Sequence, residues 1–135
     1  MKRKIILIIV CFLLIGCGKK EEQIIDNKEE IKEDLIKLVS NDKRIVYQDE
    51  ENYKVFYYEE DKVISYKIYI DYKTIDSAKN TLDIIKVNYS SNKDIKSVDR
   101  EAQFIVITYN EEYVKKNYTT TEELKKTFSN LKEIK

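Results

Sequence analysis

Apolar residues change their spacing several times along this chain, and each change marks a new element. Ile5 to Ile15 is an unbroken apolar run that follows the charged triplet Lys2-Arg3-Lys4. Ile24, Ile31, Leu35, Leu38 and Val39 then fall on one side of a helix expected over residues 22–40, with Glu29, Glu30, Lys32, Glu33 and Lys37 around it. From Arg44 the period shortens to that of strands. These are predicted at Ile45 to Gln48, Tyr53 to Tyr58 and Val63 to Tyr72, with Glu59-Glu60-Asp61-Lys62 as a hairpin loop that lacks the Asn-Gly chemistry of the tightest turns.

Pairing Glu59 with Lys62 sets Tyr57 opposite Ile64, Val55 opposite Tyr66 and Tyr53 opposite Ile68. That side, continued by Ile70, is the expected core face. The other side carries Lys54, Phe56, Tyr58, Val63, Ser65, Lys67 and Tyr69. It is too apolar to be left to water, so an element of the domain, another chain or a ligand is expected to cover it.

Thr74 is positioned to cap a helix with Asp76 in its first turn, and Ile75, Ala78, Leu82, Ile85 and Tyr89 mark its apolar side, which is expected to pack on the hairpin. The helix should end near Ser90-Ser91-Asn92. Two strands follow, Ile95 to Arg100 and Gln103 to Tyr109, and the run Phe104-Ile105-Val106-Ile107 predicts burial on both faces. Glu111 to Tyr118 has no decisive pattern. Thr121 caps a last helix, Glu122 to about Asn130, with Leu124 and Phe128 inward, and Leu131 to Lys135 reads as a turn or a terminal strand.

The fold class is therefore α+β: an antiparallel sheet of about five strands packed with two or three helices, in the order helix-strand-strand-strand-helix-strand-strand-helix. Residues 1–16 are expected to be a signal peptide, residues 17–27 a tether and residues 28–135 a single domain whose first helix packs on it or stands as a semi-independent stalk.

Composition narrows the chemistry. The chain has 25 basic and 25 acidic residues, and loss of Lys2, Arg3 and Lys4 with the signal leaves 22 basic against 25 acidic. A slightly acidic domain is poorly suited to phosphate backbones, so nucleic acid is not an expected partner. Both glycines, Gly16 and Gly18, sit beside the expected cleavage point, and the chain has no proline, histidine or tryptophan. The domain therefore has no Gly-rich phosphate loop, no GxSxG elbow, no EF-hand glycine and no Ser-His-Asp set. With Cys11 in the signal and Cys17 at its end, it also has no disulfide or thiolate metal site.

The apolar run of eleven residues is shorter than the roughly 17–25 that cross a bilayer as a helix, and matches a signal-peptide core. Leu14-Ile15-Gly16-Cys17 resembles a bacterial lipobox, followed at once by the polar Gly18-Lys19-Lys20-Glu21-Glu22. The resemblance implies cleavage between Gly16 and Cys17 and a diacylglyceryl thioether on Cys17. Two acyl chains on one residue meet the requirement for stable anchoring, at about 0.8 kcal/mol per buried CH₂.

Candidate chemistry beyond that is sparse. Asp49-Glu50-Glu51, Glu59-Glu60-Asp61 and Glu111-Glu112 are the acidic clusters, but consecutive acids in turns point apart, so no metal or other cofactor is expected. Ser65 and Lys67 share a strand face as a formal nucleophile and base. Eleven tyrosines are the compositional excess; tyrosine serves strands and binding surfaces alike. Phe56, Tyr58 and Tyr69 on the second face are the candidate binding residues.

The order of elements, with Ile15-Gly16-Cys17-Gly18 and its charged tether, the Val55 to Tyr72 hairpin, Ser77-Ala78-Lys79-Asn80-Thr81-Leu82 in the Thr74 helix, the Val98 to Tyr109 hairpin and the closing Leu131-Lys132-Glu133-Ile134-Lys135, resembles the YehR-like family of small bacterial lipoproteins. That family has no known function. The resemblance implies a lipid-anchored α+β domain and brings no catalytic residues. The expected protein is a lipoprotein on the exported face of a cell membrane, a non-enzymatic module that binds a protein, peptide or cell-wall component. A small envelope hydrolase and an immunity or inhibitor lipoprotein are the alternatives.

Overall fold

The computed structural model describes residues 33–39 and 43–135. The signal run, Gly16, Cys17, the tether and the first part of the expected first helix lie outside the described residues. The chain divides into two units, Met1–Ser40 and Asn41–Lys135. In the first, residues 33–38 form a helix, α1, with Leu35 and Val39 buried and Leu38 largely exposed.

The second unit is α+β. Its elements in order are β1 (Arg44–Asp49), β2 (Asn52–Glu59), β3 (Lys62–Asp71), α2 (Ile75–Tyr89), β4 (Ile95–Glu101), β5 (Phe104–Tyr109), α3 (Glu111–Asn117), α4 (Thr121–Thr127) and β6 (Lys132–Ile134). The strands make one antiparallel sheet in the order β4-β5-β3-β2-β1-β6. The sixth strand exceeds the expected five because the chain end pairs with β1, Val46 lying opposite Ile134. Among the described residues no helix is long and apolar enough to cross a membrane.

The central hairpin departs from the expected register. Glu59 does pair with Lys62, and Tyr58 with Val63, but the ladder then slips: Tyr57 lies opposite Ser65, Phe56 opposite Tyr66 and Tyr53 opposite Tyr69. Ile64 is the extra residue of a β-bulge, and a slip of one residue moves every later side chain on β3 to the other face. The expected core face is thus split. Phe56, Tyr66 and Ile68 face α3 and α4 in one cluster with Ile45 and Tyr47, whereas Tyr53, Val55 and Tyr69 share the opposite face. That second face is also buried, through Val46, Val55, Tyr69, Phe104 and Val106. β5 therefore buries side chains on both sides, as its apolar run predicts.

Thr74 caps α2 by accepting the Ser77 backbone N–H at 3.1 Å. Ala78, Leu82, Ile85 and Tyr89 pack with Ile95, Val98, Ile105 and Ile107, so the helix lies mainly over β4 and β5 and reaches the β2–β3 hairpin only along part of β3. Ile75, at the first helical position, is 49% exposed and outside this contact. The ambiguous segment after β5 is helix α3, capped by Asn110, whose side chain accepts from the Tyr113 N–H at 2.8 Å. The α4 cap is Thr120, one residue before the expected Thr121.

Without glycine, the tight turns use other residues in the left-handed region: Glu50 (φ 55°), Glu60 (φ 54°), Lys73 (φ 67°) and Ala102 (φ 50°). At Lys73 the buried Asp71 carboxylate compensates, accepting the Lys73 backbone N–H at 2.8 Å and its ammonium at 3.3 Å. Left-handed backbone costs a non-glycine residue about 1–2 kcal/mol, more than the entropy glycine loses on folding. Ala102→Gly, in the β4–β5 turn, is accordingly expected to stabilise the domain by about 0.5–1 kcal/mol. The measurement is the urea midpoint, and an unchanged or lower midpoint contradicts the strain argument.

Candidate functional site

Phe56, Tyr58 and Tyr69 do not form one surface. Phe56 is 0% exposed beneath α3 and α4, and Tyr58 is half-buried against the same cluster. Tyr69 is 1% exposed on the other side of the sheet. The bulge at Ile64 is the physical reason, since it parts Tyr69 from the face that Phe56 and Tyr58 share.

The aromatic excess builds a layer between the sheet and the short helices. Tyr66 stacks on Phe56 with ring centroids 4.4 Å apart and on Tyr109 at 4.7 Å, and meets the edge of Tyr118 at 5.2 Å. Tyr113 continues the series 4.6 Å from Tyr109, while Phe128 joins Phe56 to Tyr47. Burial, followed by the neighbouring phenols, pushes Tyr66 well above the ordinary tyrosine range, and burial with a hydrogen bond to Tyr113 does the same for Tyr118. On the opposite face Tyr69 is raised by burial and then by Tyr57 and Glu101; its hydroxyl lies 3.3 Å from Glu101 Oε2 and donates to it.

These shifts have a pH consequence. The native chain holds phenolic protons that the unfolded chain releases near pH 10, so their stabilisation is complete below about pH 10 and is lost as pH rises above it. The buried tyrosines are expected to ionise together with unfolding in an alkaline titration followed by tyrosinate absorbance and circular dichroism. Full ionisation with native circular dichroism retained contradicts this assignment.

The polar candidates are mostly engaged. Lys67 lies over the Tyr57 ring, 5.9 Å from its centroid, and Ser65 is paired opposite Tyr57. Asp49 meets Lys54 at 3.5 Å, Glu51 meets Lys73 at 3.2 Å and Glu111 meets Lys115 at 3.6 Å. Desolvation lowers the Lys73 ammonium, but the hydrogen bonds it donates to Glu51 and Asp71, together with their negative charge, raise it above its ordinary value. Among the described residues no group of three or more carboxylates converges to hold a metal ion.

A concavity lies where the tip of the β2–β3 hairpin meets α3 and the α3–α4 connection. It consists of two adjoining clefts of about 600 and 540 Å³ that share Glu60, Lys62, Val63 and Lys115. Ile64, turned out by the bulge and 41% exposed, lines the first with Glu59 and Glu111; Asp61, Tyr118, Thr119 and Thr120 line the second. The connection is fastened to the hairpin tip. Val63 N–H donates to Thr119 O and Thr121 N–H to Asp61 O, both at 3.1 Å, and the Thr121 hydroxyl donates to the Asp61 carboxylate. The walls are thus fixed relative to each other by main-chain bonds, and the clefts join apolar surface to exposed carboxylates and ammonium groups.

The available signal for this site in the sequence is Val63-Ile64, two adjacent apolar residues that interrupt the alternation of β3. Lys62, Ile64, Lys115 and Thr119 were not among the expected site residues. Comparisons with protein-family models, curated proteins and solved structures return no match to this chain.

Proposed function

We propose that this chain is a lipid-anchored protein of the cell envelope, held on the exported face of a membrane through Cys17, and that its α+β domain is a non-enzymatic binding module for a protein, peptide or cell-wall component. The observation that carries the reading is the order Lys2-Arg3-Lys4, Ile5 to Ile15 and Leu14-Ile15-Gly16-Cys17, then a polar tether. The likeness to the YehR-like lipoproteins is in keeping with it. The cleft supports the binding role because apolar side chains and polar groups converge there on a main-chain framework. Ser65 and Lys67, the residue types with nucleophile and base chemistry, instead pack along the sheet beside Tyr57.

The reading is tested by expressing the full chain in a bacterium with a radiolabelled fatty acid and digesting intact spheroplasts with protease. Acyl label on the chain and protease-sensitive domain are the expected results. An unlabelled chain, or a domain protected until the membrane is broken, contradicts the anchored, exported assignment.

A further inference from the structure

We propose that the cleft between the β2–β3 hairpin tip and α3 docks an extended cationic peptide segment that inserts an apolar side chain against Ile64. The proposal rests on the binding-module reading and names the chemistry of its ligand. Three observations converge on it.

Charge is the first. Among the described residues that line the two adjoining clefts, four are acidic, Glu59, Glu60, Asp61 and Glu111, and two basic, Lys62 and Lys115, and Lys115 already lies 3.6 Å from Glu111. Glu59 and Glu60 make no ion pair among the described residues. A cationic segment complements this excess, whereas an anionic one meets repulsion.

The second is the apolar anchor. A bulge re-aims a strand side chain, and here it leaves Ile64 facing the cleft when its neighbours Val63 and Tyr66 are buried. A small polyamine satisfies the carboxylates and gains nothing from Ile64; a peptide with an apolar residue beside its cations uses both.

The third is the strand edge. The β3–β5 ladder runs from Lys67 opposite Thr108 to Asp71 opposite Phe104, and Thr119–Thr120 meets β3 only at Lys62 and Val63. Between them, Ile64, Ser65 and Tyr66 have no strand partner among the described residues on the side away from β2. An extended segment suits such an interval because its own main chain can pair there, with specificity from alternate side chains.

The test is a fluorescence-anisotropy titration of the full lipidated chain in non-ionic detergent with a labelled peptide of alternating lysine and leucine. Saturable binding that weakens with added salt is expected, with no binding of the glutamate–leucine counterpart. Glu59→Gln with Glu60→Gln, and separately Ile64→Ser, are each expected to weaken binding about tenfold. Asp76→Asn with Asp83→Asn, which removes two charges on α2, is expected to leave it unchanged, and urea midpoints establish that every variant folds. The proposal is overturned if the cleft variants bind like wild type, if the acidic peptide binds as well, or if spermidine competes as effectively as the unlabelled lysine–leucine peptide. Acyl label is measured on the same preparation, so a labelled chain that fails to bind sinks the docking site alone, and an unlabelled chain sinks the anchoring.

Discussion

Replacing Cys17 with alanine is expected to abolish fatty-acid labelling of the chain and to leave a species that retains residues 1–16. The thioether requires the cysteine sulfur, and in the lipoprotein reading the cut follows lipid attachment, so one substitution blocks both steps. Membrane fractionation is the weaker readout. The uncleaved variant still carries Ile5 to Ile15, whose apolar surface can hold it at a bilayer without any acyl chain. Label and apparent size decide the matter: a labelled variant, or an unlabelled one cut to the size of wild type, places the processing chemistry elsewhere. Cys17→Ser should behave like alanine, because an oxygen at that position preserves size and polarity but not the thiolate nucleophile. Nothing in the folded domain depends on this residue in the proposed scheme. The variant domain is therefore expected to give the urea midpoint of wild type, which separates a failure of anchoring from a failure of folding.

The parts of the fold that were legible in the sequence are those determined locally. Thr74 and Asp76 mark the start of α2 because the cap and first-turn charge act within one helical turn. Phe104 to Ile107 predicts a strand buried on both faces, since no polar residue interrupts it, and β5 has that burial. What was not legible depends on partners distant in sequence. The bulge at Ile64 is a property of two strands together, and the expected ladder was right until Tyr58 opposite Val63 and wrong beyond it. β6 has three residues, and its assignment requires knowing that the edge of β1 is open to it.

The candidate site failed to appear in the sequence for a related reason. α3 has seven residues with Val114 as its buried position, too little for a helical period to show. With α3 not legible in the sequence and the last helix not yet placed on the sheet, Phe56 and Tyr58 belong to a face that an element of the domain, another chain or a ligand could cover. With them in place, the same residues form the domain's own aromatic interior, and the exposed chemistry shifts to the hairpin tip, where consecutive acidic residues had read only as a solvated turn. Stacking and strand propensity account for the placement of the tyrosines in the aromatic layer.

That reassignment makes Phe56→Ala the most damaging substitution expected within the domain. The ring is 0% exposed and lies in contact with four others: Tyr66 at 4.4 Å, Tyr118 at 5.0 Å, Phe128 at 5.4 Å and Tyr47 at 6.3 Å between centroids. Truncation removes the transfer free energy of a phenyl group and leaves a cavity whose walls belong to β1, β3, the α3–α4 connection and the end of α4. A cavity lined by separate elements closes poorly, so a loss of about 3–5 kcal/mol is expected, a large share of the stability of a small domain. Tyr58→Ala, at the half-buried border of the same cluster, should cost distinctly less. Urea denaturation of the two variants gives the comparison. A Phe56→Ala midpoint equal to that of Tyr58→Ala contradicts a buried aromatic centre and returns Phe56 to the surface. Conversely, a large loss of stability for Phe56→Ala with a native urea midpoint for Ile64→Ser separates the residue that holds the walls together from the residue proposed to meet a ligand.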